Sequence, residues 1–148
     1  MSPSIHKASV MHAAPIAALC AELGYPGTVD EIAGRIEAIR ASDADFLGVA
    51  VLEDGRIAGW IQAHASHVLE SGFRVEIMGM IVAADCRRLG VGRELVQAAE
   101  GWGRERGAPR IVVRSNVARA ESHAFYAALG YIENKTQRVY RRGLQGER

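Results

Sequence analysis

Three arginines and two glycines share the seven-residue run Arg87-Arg88-Leu89-Gly90-Val91-Gly92-Arg93. Before it lies Glu76-Ile77-Met78-Gly79-Met80-Ile81-Val82, nearly all apolar, the pattern of a strand buried on both faces. After it, Val91, Leu95, Ala98, Ala99 and Trp102 recur at spacings of three and four, the pattern of an amphipathic helix. A helix N-terminus leaves about four backbone N–H groups unpaired and carries roughly half a positive charge. Glycines at 90 and 92 let that backbone approach a bulky ligand, and Arg87, Arg88 and Arg93 add full charges. Together they make an anion site suited to a pyrophosphate. The run is not a P-loop, since it lacks GxxxxGK followed by Ser or Thr. It is not the dinucleotide GxGxxG turn either. A plain strand-to-helix turn with surface arginines is the bland alternative.

The elements that must position this turn can be read in chain order. Ile5 to Val10 patterns as a strand and Pro15 to Leu23 as a helix, stopped by Gly24-Tyr25-Pro26-Gly27. Thr28 and Glu31 form a capping box, opening a second helix that runs to about Arg40. Phe46 to Leu52, Ile57 to His67 and Phe73 to Val82 read as an antiparallel meander, with an Asp54-Gly55 hairpin turn between the first two. The turn and its helix follow, then a short strand around Ile111-Val112-Val113, a helix over Arg119 to Leu129, and a strand-like stretch from Tyr131 to Arg142. This order predicts an α/β (α+β) domain over residues 1–148. Its mixed, mostly antiparallel sheet is flanked by helices and splays at the end of the fourth strand.

Composition excludes more than it selects. The chain has 148 residues, 49 % of them hydrophobic, enough for one domain with a real core. A formal net charge of +1 argues against a general nucleic-acid binder. Cys20 and Cys86 belong to no CxxC or Cys/His cluster, so neither a disulfide framework nor a metal site is expected. No apolar run approaches the ~20 residues that span a bilayer, and the N-terminus lacks a signal-peptide core, so the expected location is the cytoplasm.

Two motifs carry a resemblance to a known family. Arg87-Arg88-Leu89-Gly90-Val91-Gly92 fits the turn signature Gln or Arg, two residues, Gly, one residue, Gly or Ala. Phe125-Tyr126-Ala127-Ala128-Leu129-Gly130-Tyr131 fits a helix end of the form Phe-Tyr-x-x-Leu-Gly-Phe or Tyr. In that order, and over nearly the whole chain, they resemble the GNAT superfamily of acyl-CoA-dependent N-acetyltransferases. The resemblance implies acetyl-CoA as co-substrate, with no metal. Met80, Ile81 and Val82 would pair their backbone with the pantetheine arm, and Arg87 to Arg93 would surround the pyrophosphate. Tyr126 would protonate the departing thiolate, a task that an unperturbed phenol pKa of about 10 suits; a core aromatic is the alternative.

Glu76 matches a strand position that serves as general base in several members of the family. Independently of the family, a carboxylate in a partly apolar site can attract an ammonium and then take its proton. Regular alternation puts Glu76, Met78, Met80 and Val82 on one face. The alternative is a strand-end Glu paired with Arg74. Many relatives carry an Asn seven residues before the Tyr; here that position is Arg119, and Asn116 stands three residues earlier. Both, with Ser122 one turn before Tyr126, are candidates to touch the cofactor. Glu22, Tyr25, Trp60, His64 and His67 are candidates for the acceptor side.

The expected reaction is direct acetyl transfer to a primary amine on a small molecule or peptide, without nucleic acid or membrane. A homodimer is common in the resembling family. A covalent route through Cys86 is discounted because that residue lies on the phosphate side. A non-catalytic acyl-CoA-binding or sensing module and a nucleotide-binding domain are the rival readings.

Overall fold

The structure, a computed structural model, describes residues 3–115 and 117–146. These fall into two compact units that meet in sequence between Arg114 and Ser115. The first holds a five-stranded sheet: β1 (Ser4–Lys7), β2 (Asp45–Val51), β3 (Ile57–Val68), β4 (Gly72–Val82) and β5 (Ile111–Val113), in that spatial order. β1 to β4 pair antiparallel, while β5 runs parallel to β4. The helices of this unit are α1 (Ala13–Glu22), α2 (Val29–Arg40) and α3 (Val91–Glu105). The second unit holds α4 (Ala120–Ala128).

Local signals set most boundaries. Thr28 Oγ1 accepts from the Glu31 N–H at 3.0 Å and Glu31 Oε1 accepts from the Thr28 N–H at 2.9 Å, the reciprocal capping box that starts α2. β1 ends earlier than its apolar pattern predicts. Ser9 donates its N–H to His12 Nδ1 at 3.0 Å, which folds Val10–His12 into a 3₁₀ turn leading into α1. Residues 131–142 form no strand. Their apolar members are too sparse among Glu, Asn, Lys, Gln and Arg to bury a face, and Ile132, Val139 and Tyr140 are all strongly exposed.

The sheet has two unlike faces. On one, Ile61, Ala63, Ala65, Val75 and Ile77 are buried beneath α3, whose Val91, Leu95, Val96 and Ala99 are buried against them. Trp102 of the same helix stacks on Phe46 with ring centroids 5.9 Å apart. On the other face Leu47 and Val49 of β2 are buried, and Trp60 of β3 lies against Cys20 of α1. Further along that face Gln62, His64 and Glu76 are only half-buried. The polar stretch of the sheet is therefore on the side away from α3.

Close approach demands a glycine at the joint between β3 and the end of β4. A Cβ on Gly59 would stand 2.7 Å from the Ile81 carbonyl oxygen and 3.1 Å from Leu95 Cδ1. Gly34, exposed on α2, has open space around it. Gly59→Ala is expected to destabilise by about 1–3 kcal/mol through overpacking, whereas Gly34→Ala should stabilise by about 0.5–1 kcal/mol through helix propensity and unfolded-state entropy. Thermal melts of both variants check this; a Gly59→Ala protein as stable as wild type would refute the close contact.

Candidate active site

β4 is paired on both sides for only part of its length. β3 accompanies it from Gly72 to Val82, but β5 pairs only Val75, Glu76 and Ile77. Among the described residues, no strand pairs with β4 on the β5 side beyond Ile77. The backbone of Gly79 to Val82 thus presents an open edge, the splay that the element order predicts. Hydrogen-bonding groups on such an edge accept an extended ligand as a further strand would.

A bulge sits where the second neighbour is lost. Gln62 pairs with Gly79 and Ala63 with Ile77, so Met78 is an extra residue in β4. Regular alternation would keep Glu76 on the face of Met80 and Val82. The bulge reverses the phase, so Glu76 shares its face with Gly79 and Ile81, opposite His64, Gln62 and Trp60 of β3. Gly79 fits beneath Trp60, where a Cβ would come within 3.0 Å of the indole. Met80 and Val82 project to the α3 side.

The anion-binding turn forms as its residues imply. Gly90 is the N-cap of α3 in the left-handed region at φ 80°, and no side chain caps the helix. The first N–H groups of α3 therefore lack both an intrahelical partner and a side-chain cap. Arg88 also has a positive φ, 74°, where a non-glycine residue is strained. Arg87, Arg88 and Arg93 are exposed, as are Leu89 and Gly90, while Val91 is buried and Gly92 half-buried. The turn is anchored from behind. Arg56, after the β2–β3 hairpin, donates to Asp85 Oδ2 at 2.7 Å and to Cys86 Sγ at 2.9 Å. The hydrogen bond from Arg56 holds the Asp85 carboxyl below its ordinary range. Burial pushes the Cys86 thiol up, so at neutral pH it is a protonated, poorly nucleophilic sulfur.

Glu76 is flanked by cations. Its Oε1 lies 3.6 Å from Arg74 and its Oε2 3.6 Å from Arg114, with the carboxylate side chain 14 % exposed. The strand-end pairing weighed from sequence is present, and it includes an arginine that sequence reasoning did not name. His64 and Asp45 were also missed as a pair. His64 Nδ1 lies 2.9 Å from Asp45 Oδ1. The only sequence signal for that contact is the β2–β3 hairpin register, which cannot be fixed without the bulge between Ala50 and Val51.

In the second unit Tyr126 lies in α4, edge-on to Phe125 at 5.0 Å and to Tyr131 at 5.5 Å between ring centroids. Burial pushes its phenol above the ordinary value. Arg119 is the exposed N-cap of α4 and its carbonyl accepts from the Ser122 N–H at 3.1 Å; Ser122 is half-buried. Asn116 lies outside the described residues. Among those residues no group of three or more His, Cys, Asp or Glu is arranged to hold a metal ion, and no helix is long and apolar enough to cross a membrane.

A sheet that opens beside β4, next to a cationic glycine turn that starts a helix, defines an α/β acyltransferase fold. Residues 17–131 match the acetyltransferase (GNAT) family, and the chain belongs to that family. It is an acetyl-CoA-dependent N-acetyltransferase, with acetyl-CoA as co-substrate. The chain is 29 % identical to an aminoglycoside N(6')-acetyltransferase type 1 of Klebsiella aerogenes, over 97 % of this chain and 98 % of the relative. It is 29 % identical to one of Stenotrophomonas maltophilia, over 93 % and 90 %. Its fold superimposes with a TM-score of 0.84 on AAC(6')-Iy in complex with the bisubstrate analogue CoA-S-monomethyl-acetylneamine, covering 97 % of this chain and 99 % of that one at 22 % identity.

A buried thiol whose pKa is raised by that burial is a poor nucleophile for an acetyl-cysteine route. Cys86→Ala is expected to lower stability by about 1 kcal/mol, since it leaves a small cavity, and to keep the turnover of the wild type. Thiol release and a thermal melt on the same preparation check both; loss of turnover in a folded Cys86→Ala protein would return the covalent route.

Proposed function

We propose that residues 1–148 act as one N-acetyltransferase domain that acetylates a small-molecule primary amine, the 6'-amine of an aminoglycoside being the first acceptor to test. The observation that carries the reaction is the open edge of β4, which ends at the uncapped first turn of α3 while Glu76 stands on the half-open face of the same strand. The family match runs across the boundary between the two units, in support of a single working domain. The names of the two curated relatives support the aminoglycoside. We place the reaction in the cytoplasm, where acetyl-CoA is made and consumed.

In this reading the backbone of Met80, Ile81 and Val82 holds the pantetheine arm. The N–H groups of the turn, with Arg87, Arg88, Leu89, Gly90, Val91, Gly92 and Arg93, surround the pyrophosphate. Asn116, Arg119 and Ser122 are assigned to the cofactor as well. The acceptor binds as an ammonium ion attracted by Glu76, which takes a proton and frees the lone pair. The amine nitrogen attacks the thioester carbon, forming the N–C bond. A backbone N–H near Ile81 stabilises the oxyanion. The C–S bond then breaks, Tyr126 protonates the departing thiolate, and the second proton of the former amine nitrogen leaves as the amide forms and restores the Tyr126 phenol. The raised phenol pKa supports that role, since it keeps the hydroxyl protonated throughout the neutral range.

Differential scanning fluorimetry should register stabilisation by acetyl-CoA and CoA, and little by ATP or NAD. In a thiol-release screen over aminoglycosides, polyamines, amino acids and peptides, Glu76→Gln should lower kcat about 10²–10⁴-fold, the contribution typical of a general base. Tyr126→Phe should lower kcat at least about tenfold on the same grounds. Both should keep the KM for acetyl-CoA within about twofold if they act in chemistry rather than binding. Because the phenol pKa is raised, any fall in rate from its ionisation lies above about pH 10 and is absent from Tyr126→Phe. Full activity in both variants would sink the two role assignments, and no turnover with any amine would sink the proposed acceptor class.

A further inference from the structure

One side-chain pair on the half-open face of the sheet is not used by the reaction scheme above. His64 Nδ1 lies 2.9 Å from Asp45 Oδ1, with the aspartate side chain 14 % exposed and the imidazole 40 % exposed. The register sets Asp45 opposite His64 across β2 and β3, and His64 opposite Glu76 across β3 and β4. Directly opposite residues point to the same face with Cβ atoms about 4.5–5.5 Å apart. Three titratable side chains thus stand in one row over three adjacent strands. Arg74 and Arg114, each 3.6 Å from Glu76, close the far end of the row. The charged groups facing His64 are therefore Asp45 from β2 and Glu76 from β4, with the two guanidinium groups behind Glu76.

A carboxylate on Nδ1 fixes an imidazole in the tautomer that carries its proton there, and turns Nε2 into an acceptor. A generic imidazole, with a pKa near 6.5, lies between a carboxylate near 4 and an alkylammonium near 10. It is therefore matched to take a proton at neutral pH. The guanidinium groups of Arg74 and Arg114 stand 3.6 Å from the Glu76 oxygens, beyond hydrogen-bond distance, so those oxygens keep lone pairs for an ammonium.

We infer that His64, oriented by Asp45, receives the acceptor's proton from Glu76 and releases it to water. This rests on the acetyltransfer reading with Glu76 as the group that meets the amine. The balance is simple. The N–H bond of the ammonium breaks and the proton passes to a Glu76 oxygen. It then moves, directly or through one water, to His64 Nε2. The resulting imidazolium is stabilised by Asp45 and loses its proton from the exposed ring. Glu76 ends the cycle as a carboxylate and His64 as a neutral imidazole. His64 is a relay and positioning residue in this scheme, since it need not touch the substrate.

The test compares log kcat/KM against pH for wild type, His64→Gln, Asp45→Asn, Glu76→Gln and the double variant Glu76→Gln/His64→Gln. All use one amine that wild type acetylates. His64→Gln is expected to lose about 10–100-fold in kcat/KM at pH 7, with the KM for acetyl-CoA changed less than twofold, and to lose the low-pH inflection of the wild type. Asp45→Asn keeps the ring but removes the carboxylate that fixes its tautomer, and should lower kcat/KM in the same direction as His64→Gln. If the two groups act in series, the double variant will be no slower than Glu76→Gln within about threefold. His64→Gln with the wild-type rate and inflection overturns the relay. So does a double variant as slow as the product of the two single losses, or an Asp45→Asn variant with the wild-type kcat/KM. A wild-type protein that acetylates no amine instead sinks the underlying acetyltransfer reading, and is told apart because it fails before any variant is compared.

Discussion

Everything at this site depends on β4 having two neighbours along one half and a single neighbour along the other. Over Val75 to Ile77 the strand is fixed from both sides by backbone hydrogen bonds and from below by α3. Past Ile77 the β5 side is open. Exposed strand edges ordinarily invite aggregation and are blunted by charge, twist or a bulge. Here a bulge at Met78 marks the start of the open stretch, and the five arginine and glycine positions of the turn follow close after its end. Near the end of that edge Gly59 of β3 and the Ile81 carbonyl come too close for any side chain between them.

The bulge also separates two tasks that a regular strand would mix. With unbroken alternation, Glu76 and the side chains of Met80 and Val82 would crowd one face. The extra residue turns Met80 and Val82 toward α3, and leaves Glu76 on the other face beside half-buried polar residues. The edge of β4 is thus free for main-chain contacts, while its outer face carries titratable groups. A net charge of +1 conceals this division. Arg87, Arg88 and Arg93 collect at the helix start, whereas on the sheet face the carboxylate of Glu76 is offset by Arg74 and Arg114 and that of Asp45 faces His64. A whole-chain sum of charge therefore says nothing about either ligand.

The parts legible in the sequence were those governed by local chemistry. The capping box at Thr28 and Glu31, the Asp54-Gly55 turn and the left-handed Gly90 each announce themselves within a few residues, because the physical demand is met by neighbours in the chain. The two motifs, 87–92 and 125–131, carried the family. What stayed hidden was non-local. Nothing in Glu76 to Val82 announces an extra residue at Met78, since it shows only in the pairing with β3, where Gly79 lies close to Trp60. Arg114 against Glu76, and His64 against Asp45, likewise need the register of three strands before they can be seen. The strand-like reading of 131–142 failed for the opposite reason: local β propensity was present, but too little apolar surface to hold it down.

The register explains why an acidic residue at Glu76 is tolerated at all. A carboxylate at 14 % exposure in the middle of a sheet would be costly if left alone, and two guanidinium groups at 3.6 Å offset that cost without direct hydrogen-bond distances. At that separation the oxygens keep lone pairs for another partner, whereas a tight bidentate arginine would occupy them. The same logic holds one strand over. His64 spends Nδ1 on Asp45 at 2.9 Å, which leaves Nε2 for another partner. Each member is therefore held firmly on one side and left with acceptor capacity on the other. Structural ion pairs placed only for stability have no need of that asymmetry, and a row built to pass a proton requires it.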